Sequence, residues 1–287
     1  MKVLAVGAAG PSAGLVTRAL ARRGVEVRGL VHAPSRAAAA RENGAVDTVV
    51  ADLNDPQQLA AALAGVDAVF HIVPAFVPDE AATGTVMVAA AAAAGVRRIV
   101  FSSVYHPSLV ALSNHRDKAP VEQAIYDSDL EFTVLQPAMF MAQLGGHVAA
   151  ARAGGVIGGP YSATTRFAYV DYRDVAEAAA LALTTDRLLG GTFELSGPGQ
   201  FSREDIAAAL TELLGRPVRA TSGSPEDRDP RMPAHLRDGL QRMFEHYDGA
   251  GLHGGNSLVL DTILGRAATS VTDYLRELTT TDTESES

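Results

Sequence analysis

KVLAVGAAGPSAGLVTRALARRG, residues 2–24, is the stretch on which the fold turns. KVLAVG (2–7) is a continuous apolar run, which suits a strand buried on both faces. From Pro11 to Arg23 the spacing predicts a helix, with Leu15, Val16, Ala19 and Leu20 on one face and Gly24 as its stop. GAAGPSAG (7–14) joins the two. A dinucleotide diphosphate needs backbone it can approach closely and a helix N-terminus that donates N–H groups. Gly7 permits the tight turn and Gly10 the close approach; Ala13 stands where a small residue lets the helix pack on the strand. Pro11 suits the first helical turn but has no N–H. Phosphates must then be met mainly by the N–H groups of Ser12 and Ala13, with the Ser12 hydroxyl at hand. The plain alternative is a glycine turn that serves packing only; the strand before and helix after it speak for the nucleotide.

The same rhythm continues outward. VEVRGLV (25–31), VDTVVAD (46–52), DAVFHIV (67–73), RRIVFSSV (97–104) and FTVLQPA (132–138) predict strands two to six, with a helix near PQQLAAALAG (56–65). VMVAAAAAAG (86–95) reads as a buried helix ending at Gly95. This alternation calls for an α/β fold, a Rossmann-type doubly wound parallel sheet. A dinucleotide-binding domain is expected over 1–153. It is completed by about 166–196, where RFAYVDYRDVAEAAALALTT (166–185) reads as strand then helix and GTFELSG (191–197) as a short strand. Residues 197–279 are expected to form a small C-terminal substrate or cap region over the sheet's carboxyl edge. In it, Ser202 and Asp205 have capping-box spacing, SGSPEDRDPRMP (222–233) reads as a loop or lid, FEHYDGAGLHGGN (244–256) as irregular, and SVTDYLREL (270–278) as a last helix. The polar, acidic end is expected to be disordered over 280–287.

Composition narrows the function. The 287 residues are 47% hydrophobic and carry a net charge of −9, so no sequence-wide basic field draws nucleic acid or anionic lipid. No apolar run reaches the ~18 residues that span a bilayer. The apolar start MKVLAVG breaks at glycine too early for a secretory signal. Without cysteine there are no disulfides and no thiolate metal sites, which fits a cytoplasmic protein. His246 and His253 lack metal-site spacing, so no metal is expected. SSV (102–104) has no flanking G-x-S-x-G turn, which argues against a hydrolase.

An NAD-selective site places Asp or Glu at the end of the second strand. Here that strand ends VHAPSR (31–36), with His32 at the position and Arg36 just behind it. Arg36 with His32 suits a 2′-phosphate, so NADP(H) is favoured over NAD(H). Asp52, ending VVAD, is placed to reach the adenine amino group. Arg36 as a plain solvated charge is the competing reading.

GAAGPSA (7–13), ADL (51–53), RRIVFSSV, HRDKAPVEQAIYDSDLEFTVLQPAMFM (115–141) and VDYRDVAEAAALAL (170–183) together resemble the NmrA-like family of atypical short-chain dehydrogenases. The resemblance covers roughly residues 1–200. It implies a nicotinamide cofactor and either reduction of quinones, azo dyes or activated double bonds, or a silent sensor that binds cofactor and regulates partners. Lys118 matches the family's retained lysine, a cation for the nicotinamide ribose or a substrate oxygen; otherwise it is a helix-start surface charge. Orthodox short-chain dehydrogenases carry tyrosine four residues before that lysine, and here Asn114 stands there. Pro120 also puts the helix start near Asp117. Ser103 could hold a substrate oxygen, and Tyr105 or His106 could give the proton that the missing tyrosine cannot. The expected cofactor set adds the carboxyl-edge positions Ala9, Leu53, Val73, Pro74 and Ser102, with Pro137 and Phe140, beside Met139 and Met141, near the nicotinamide. His71 reads as a satisfied core histidine and His115 as no better a candidate than His106. The expected function is reduction of a small apolar quinone, enone or similar conjugated acceptor by a monomer or homodimer, with the NADP(H) redox sensor as the alternative.

Overall fold

The computed structural model describes residues 1–223 and 231–285, with side chains to 280. The chain divides into two units, Met1–Pro137 with Tyr172–Glu194, and Ala138–Asp171 with the chain from Leu195 onward. In chain order the elements are β1 (Lys2–Val6), α1 (Pro11–Arg22), β2 (Glu26–Val31), α2 (Ala37–Glu42), β3 (Asp47–Val50), α3 (Pro56–Leu63), β4 (Ala68–Ile72), α4 (Glu80–Ala93), β5 (Arg98–Ser102), α5 (Ser113–Arg116), α6 (Ala119–Tyr126) and β6 (Glu131–Pro137). They continue with β7 (Met139–Phe140), α7 (Leu144–Gly154), β8 (Val156–Ile157), β9 (Phe167–Val170), α8 (Tyr172–Thr184) and β10 (Gly191–Leu195). Last come β11 (Gln200–Phe201), α9 (Arg203–Leu214), β12 (Arg219–Ala220), α10 (Ala234–Ala250), α11 (Leu258–Leu264) and α12 (Val271–Ser285).

The main sheet has the order β10–β6–β5–β4–β1–β2–β3. β1 pairs in parallel with β2 and β4, and β2–β3, β4–β5 and β5–β6 are parallel too. This is the doubly wound order, which reverses between β1 and β4, the place where open α/β sheets bind ligands. Leu4 and Val6 of β1 share a core with Leu59 and Leu63 of α3, Met87 and Ala91 of α4, and Val121 and Ile125 of α6. Each such aliphatic side chain contributes about 1.5–3 kcal/mol by leaving water. The alternate residues Val3 and Ala5 are also fully buried, on the face where α1 packs on α8. Burial on both faces explains why β1 reads as an unbroken apolar run.

The second unit departs from expectation in three places. Residues 166–170 do not complete the main sheet: β9 pairs with β7 and β11 in a separate three-stranded sheet, and α8 and β10 alone return to the first unit. Local strand preference in FAYV does not choose its partner. The stretch read as irregular from 244 is helical to Ala250, because Leu236, Leu240, Met243, Phe244 and Tyr247 recur at helical spacing. Helix α12 continues through Ser285, past the expected onset of disorder at 280; the Thr279 and Thr280 hydroxyls bond back to carbonyls one turn earlier. Residues 286–287, and 224–230 of the expected loop or lid, lie outside the described residues. The capping box on α9 is present, with Ser202 and Asp205 each bonding the other's backbone N–H. Among the described residues no helix is long and apolar enough to cross a membrane.

Candidate cofactor and active site

The glycine turn follows directly from β1. Gly7 takes φ +73°, a left-handed conformation that a side chain would strain. Its N–H donates to the Leu30 carbonyl at 3.0 Å, and the Gly10 N–H donates to the Gly7 carbonyl at 2.7 Å. Gly10 caps α1 with extended backbone and no side-chain cap; a Cβ there would lie 3.1 Å from the Gly7 carbonyl. The Gly14 N–H makes the first helical bond, to Gly10, at 2.9 Å. Ser12 and Ala13 therefore carry the N–H groups that the helix itself leaves unmet. Asn43 braces the turn, donating to the Ala8 carbonyl at 2.8 Å and accepting from Arg18 at 2.9 Å. A dinucleotide diphosphate fits this backbone, which is bare where close approach is needed and has donors to spare.

At the end of β2, His32 and Arg36 are both exposed. Arg36 reaches the turn itself, its Nη2 donating to the Ala9 carbonyl at 2.8 Å. Asp52 lies two residues past β3, its carboxylate accepting from the Asn54 N–H at 2.9 Å; Leu53 beside it is half-buried.

Lys118 is no surface charge. It is 4% exposed and caps α6, which begins at Ala119 rather than Asp117, with Pro120 in the first turn where its missing N–H costs nothing. Asn114 belongs to α5, a separate turn of helix. The lysine Nζ donates to the Val73 carbonyl at 2.8 Å and lies 2.7 Å from Glu80 Oε1. Glu80 is 2% exposed, and its other oxygen accepts from the Phe76 N–H at 2.9 Å. Burial pushes the Glu80 carboxyl up and the Lys118 ammonium down, and their contact opposes both shifts. Phe76 and Asp79 after β4, and His106 after β5, all have positive φ without being glycine. Each costs on the order of 1–3 kcal/mol, and such strain gathers at ligand-binding edges. Pro74, next to Val73, is exposed.

His71 in β4 is fully buried and only half satisfied. Its Nε2 lies 3.2 Å from the Gly84 carbonyl, while Nδ1 is buried with no partner, which corrects the expectation of a satisfied core histidine. Burial first, and the Lys118 charge second, lower its pKa to about 3.

At the end of β5, the buried Ser102 hydroxyl lies 2.9 Å from the Tyr172 hydroxyl of α8. Ser103 donates to Glu122 at 2.5 Å, and Gln136 donates to the same oxygen at 2.9 Å. Tyr105 is buried, its N–H bonded to the Pro137 carbonyl at 3.0 Å; burial and then Glu194 push its phenol up, so it holds its proton. The His106 ring lies 4.0 Å from that of Tyr105, and its Nδ1 is 2.6 Å from Glu194. His115 is buried against the His106 carbonyl. Thus Val73, Lys118, Ser102, Ser103, Tyr105, His106 and Pro137 all belong to the first unit, whereas Phe140 lies in β7 of the second. Sequence reasoning missed Asn43, Glu80, Glu122 and Glu194. None of the four carried a local signal, because each meets its partner far along the chain.

A profile described as the NmrA-like family matches residues 1–282. The NAD(P)H azoreductase of Xenophilus azovorans is 30% identical, over 96% of each chain. The (4-alkanoyl-5-oxo-2,5-dihydrofuran-3-yl)methyl phosphate reductase of Streptomyces griseus is 35% identical, over 76% of this chain and 75% of its own. The crystal structure of an NADPH-dependent quinone oxidoreductase of Escherichia coli complexed with NADPH superposes with a TM-score of 0.83 at 25% identity. It covers 97% of this chain and 99% of that one.

Proposed function

Because the chain belongs to the NmrA-like family, we propose that it is an atypical short-chain reductase that passes hydride from a nicotinamide dinucleotide to a quinone, azo or enone-type acceptor. The observation that carries this reading is the Gly7–Gly10 turn at the sheet's reversal point, with the N–H groups of Ser12 and Ala13 unmet by the helix. When bound, NADPH supplies the hydride; the chain binds, orients and manages the proton. Arg36 and His32 favour the 2′-phosphate form, since no carboxylate stands where a ribose 2′-hydroxyl would be held. Asp52 and Leu53 are assigned to the adenine end, and Val73, Pro74, Ser102 and Pro137 to the nicotinamide end.

Hydride addition to a quinone leaves negative charge on one oxygen, and one proton completes the hydroquinone. An ammonium has three N–H donors; on Lys118 the Val73 carbonyl takes one, Glu80 stands beside it as the ion-pair partner, and a remaining N–H is assigned to the cofactor ribose or the acceptor oxygen. Tyr105, which holds its proton, is the proposed donor, with the His106 ring stacked beside it. Ser103 already donates to Glu122, so it can offer a substrate only its lone pairs. A conjugated acceptor spreads its charge and needs less acid help than a plain ketone, which suits a site with Asn114 in place of tyrosine. A reducing cytosol is the compartment that fits a cysteine-free NADPH enzyme.

The test is to mix purified protein and NADPH with quinones, azo dyes and enones and follow NADPH absorbance. Consumption with at least one acceptor is expected. Tight NADPH binding with no consumption on any acceptor points instead to a redox sensor, and no binding at all overturns both.

A further inference from the structure

The second unit holds a buried guanidinium that no carboxylate balances among the described residues. Arg203, the first residue of α9, is 3% exposed. Its Nη1 donates to the carbonyls of Tyr161 and Thr221, each at 3.0 Å. Its Nε and Nη2 are buried and have no hydrogen-bond partner among the described residues. No carboxylate among the described residues pairs with it; the neighbouring Asp205 is spent on Ser202 and Arg166.

Arg98 in the first unit shows what a buried arginine normally requires. At 2% exposure it meets Glu131 and Asp186 and donates to the carbonyls of Ala182 and Thr185, so every nitrogen has an acceptor. A buried charge lacking such partners is strongly disfavoured unless something else supplies the acceptor.

The unmet groups have a particular shape. Nε and Nη2 form one edge of the guanidinium, the two-pronged fork that matches both oxygens of a carboxylate, sulfonate or phosphate. Gly159 lies against that edge: a Cβ on it would fall 2.1 Å from Nη2 and 2.8 Å from Nε. The adjacent Gly158 and Gly159 have no side chains to unpack if that cover shifts. The other flank is aromatic. The Arg203 Cζ lies 4.7 Å from the centre of the Tyr161 ring, which stacks 4.9 Å from Phe167. Burial pushes the Tyr161 phenol up, and the guanidinium opposes that through its charge; burial first, and the Arg203 charge second, push the half-buried His147 down.

We infer that the Arg203 fork, with Tyr161 beside it and Gly159 as its cover, is a binding site for an oxyanion carried on an aromatic or conjugated molecule. The site lies wholly within the second unit and does not rest on the reductase reading above.

The experiment is equilibrium calorimetry on the full chain saturated with NADPH, which fills the glycine turn. The probes are phenyl phosphate, inorganic phosphate and phenol. Phenyl phosphate is expected to bind, and Arg203→Met to weaken it about 10–100-fold, the worth of a charge-assisted pair. NADPH binding and weak binding of phenol should stay unchanged. Inorganic phosphate binding as tightly as phenyl phosphate keeps the oxyanion site but gives it to the free ion. Should Arg203→Met unfold, Gly159→Ala decides, because its methyl displaces the fork and keeps the charge; the same loss is expected. Equal phenyl phosphate affinity in wild type and these variants overturns the inference. If NADPH itself fails to bind, the reductase reading falls, and the dependence of phenyl phosphate binding on Arg203 still decides this one.

Discussion

The Lys118 ammonium and the Glu80 carboxylate face each other with almost no water between them. Breaking such a pair leaves one charge buried alone, which costs about 3–5 kcal/mol, while removing both partners costs much less. Lys118→Met and Glu80→Met should each lower stability on that scale in urea unfolding at pH 7. The double variant should fall well short of the sum, and additive losses would show that the two groups do not act as a pair. His71 gives a pH signature. Its folded pKa near 3 lies below the ordinary value of 6.5, so in that window the unfolded chain binds more protons than the folded one. The stability it contributes is present above 6.5 and is lost as pH falls toward 3, at up to about 1.4 kcal/mol per pH unit. His71→Gln keeps a donor for Gly84 and removes the titration. Between pH 7 and pH 5 the variant should lose about 2 kcal/mol less than wild type. An identical slope in both would place the proton uptake elsewhere.

At the scale of elements, the α4–α6 contact depends on one missing side chain. A Cβ on Gly84 would lie 2.4 Å from Val121 Cγ2 and 3.2 Å from Val73 Cγ2. Alanine in mid-helix should gain about 1 kcal/mol of helix propensity. Val121 is branched and stiff, so rotation does not relieve the clash, and overpacking costs about 1–3 kcal/mol. Gly84→Ala should therefore destabilise the wild type, yet be neutral or stabilising on a Val121→Ala background. The same sign in both backgrounds would mean that the helices are free to part. This contact also marks the limit of reading from sequence. β1, α1 and the Gly7–Gly10 turn were legible because period, caps and glycine spacing are local signals. The doubly wound parallel sheet followed from strand and helix alternation. What was illegible depends on partners distant in the chain: Asn43 under the turn, Glu80 beneath Lys118, and β9 choosing β7 and β11 over the main sheet. Lys118 could be picked out as a residue, but its burial could not, since that comes from Val73 and Glu80 some forty residues away.

Taken whole, the molecule carries a net charge of −9 and yet is assigned a polyanionic cofactor. Net charge offers no long-range attraction, so on the proposed reading local donors hold it: the Ser12 and Ala13 N–H groups for the diphosphate and Arg36 for the 2′-phosphate. A ligand that binds only the folded chain stabilises it by mass action, about 2.7 kcal/mol at 100 times its Kd. NADPH should therefore raise the unfolding temperature more than NADH at equal concentration. A charge-assisted contact to phosphate is worth about 10–100-fold in affinity. In Arg36→Ala a loss of about 30-fold would leave about 0.9 kcal/mol of that stabilisation, and the response to NADH should barely move. The gap between the two cofactors in wild type should also narrow at high salt, because Arg36 is exposed and its field is screened within about 10 Å at 0.1 M. If NADH stabilises wild type as well as NADPH does, or if Arg36→Ala weakens both alike, then Arg36 serves the turn through its bond to Ala9 and does not read the 2′-phosphate.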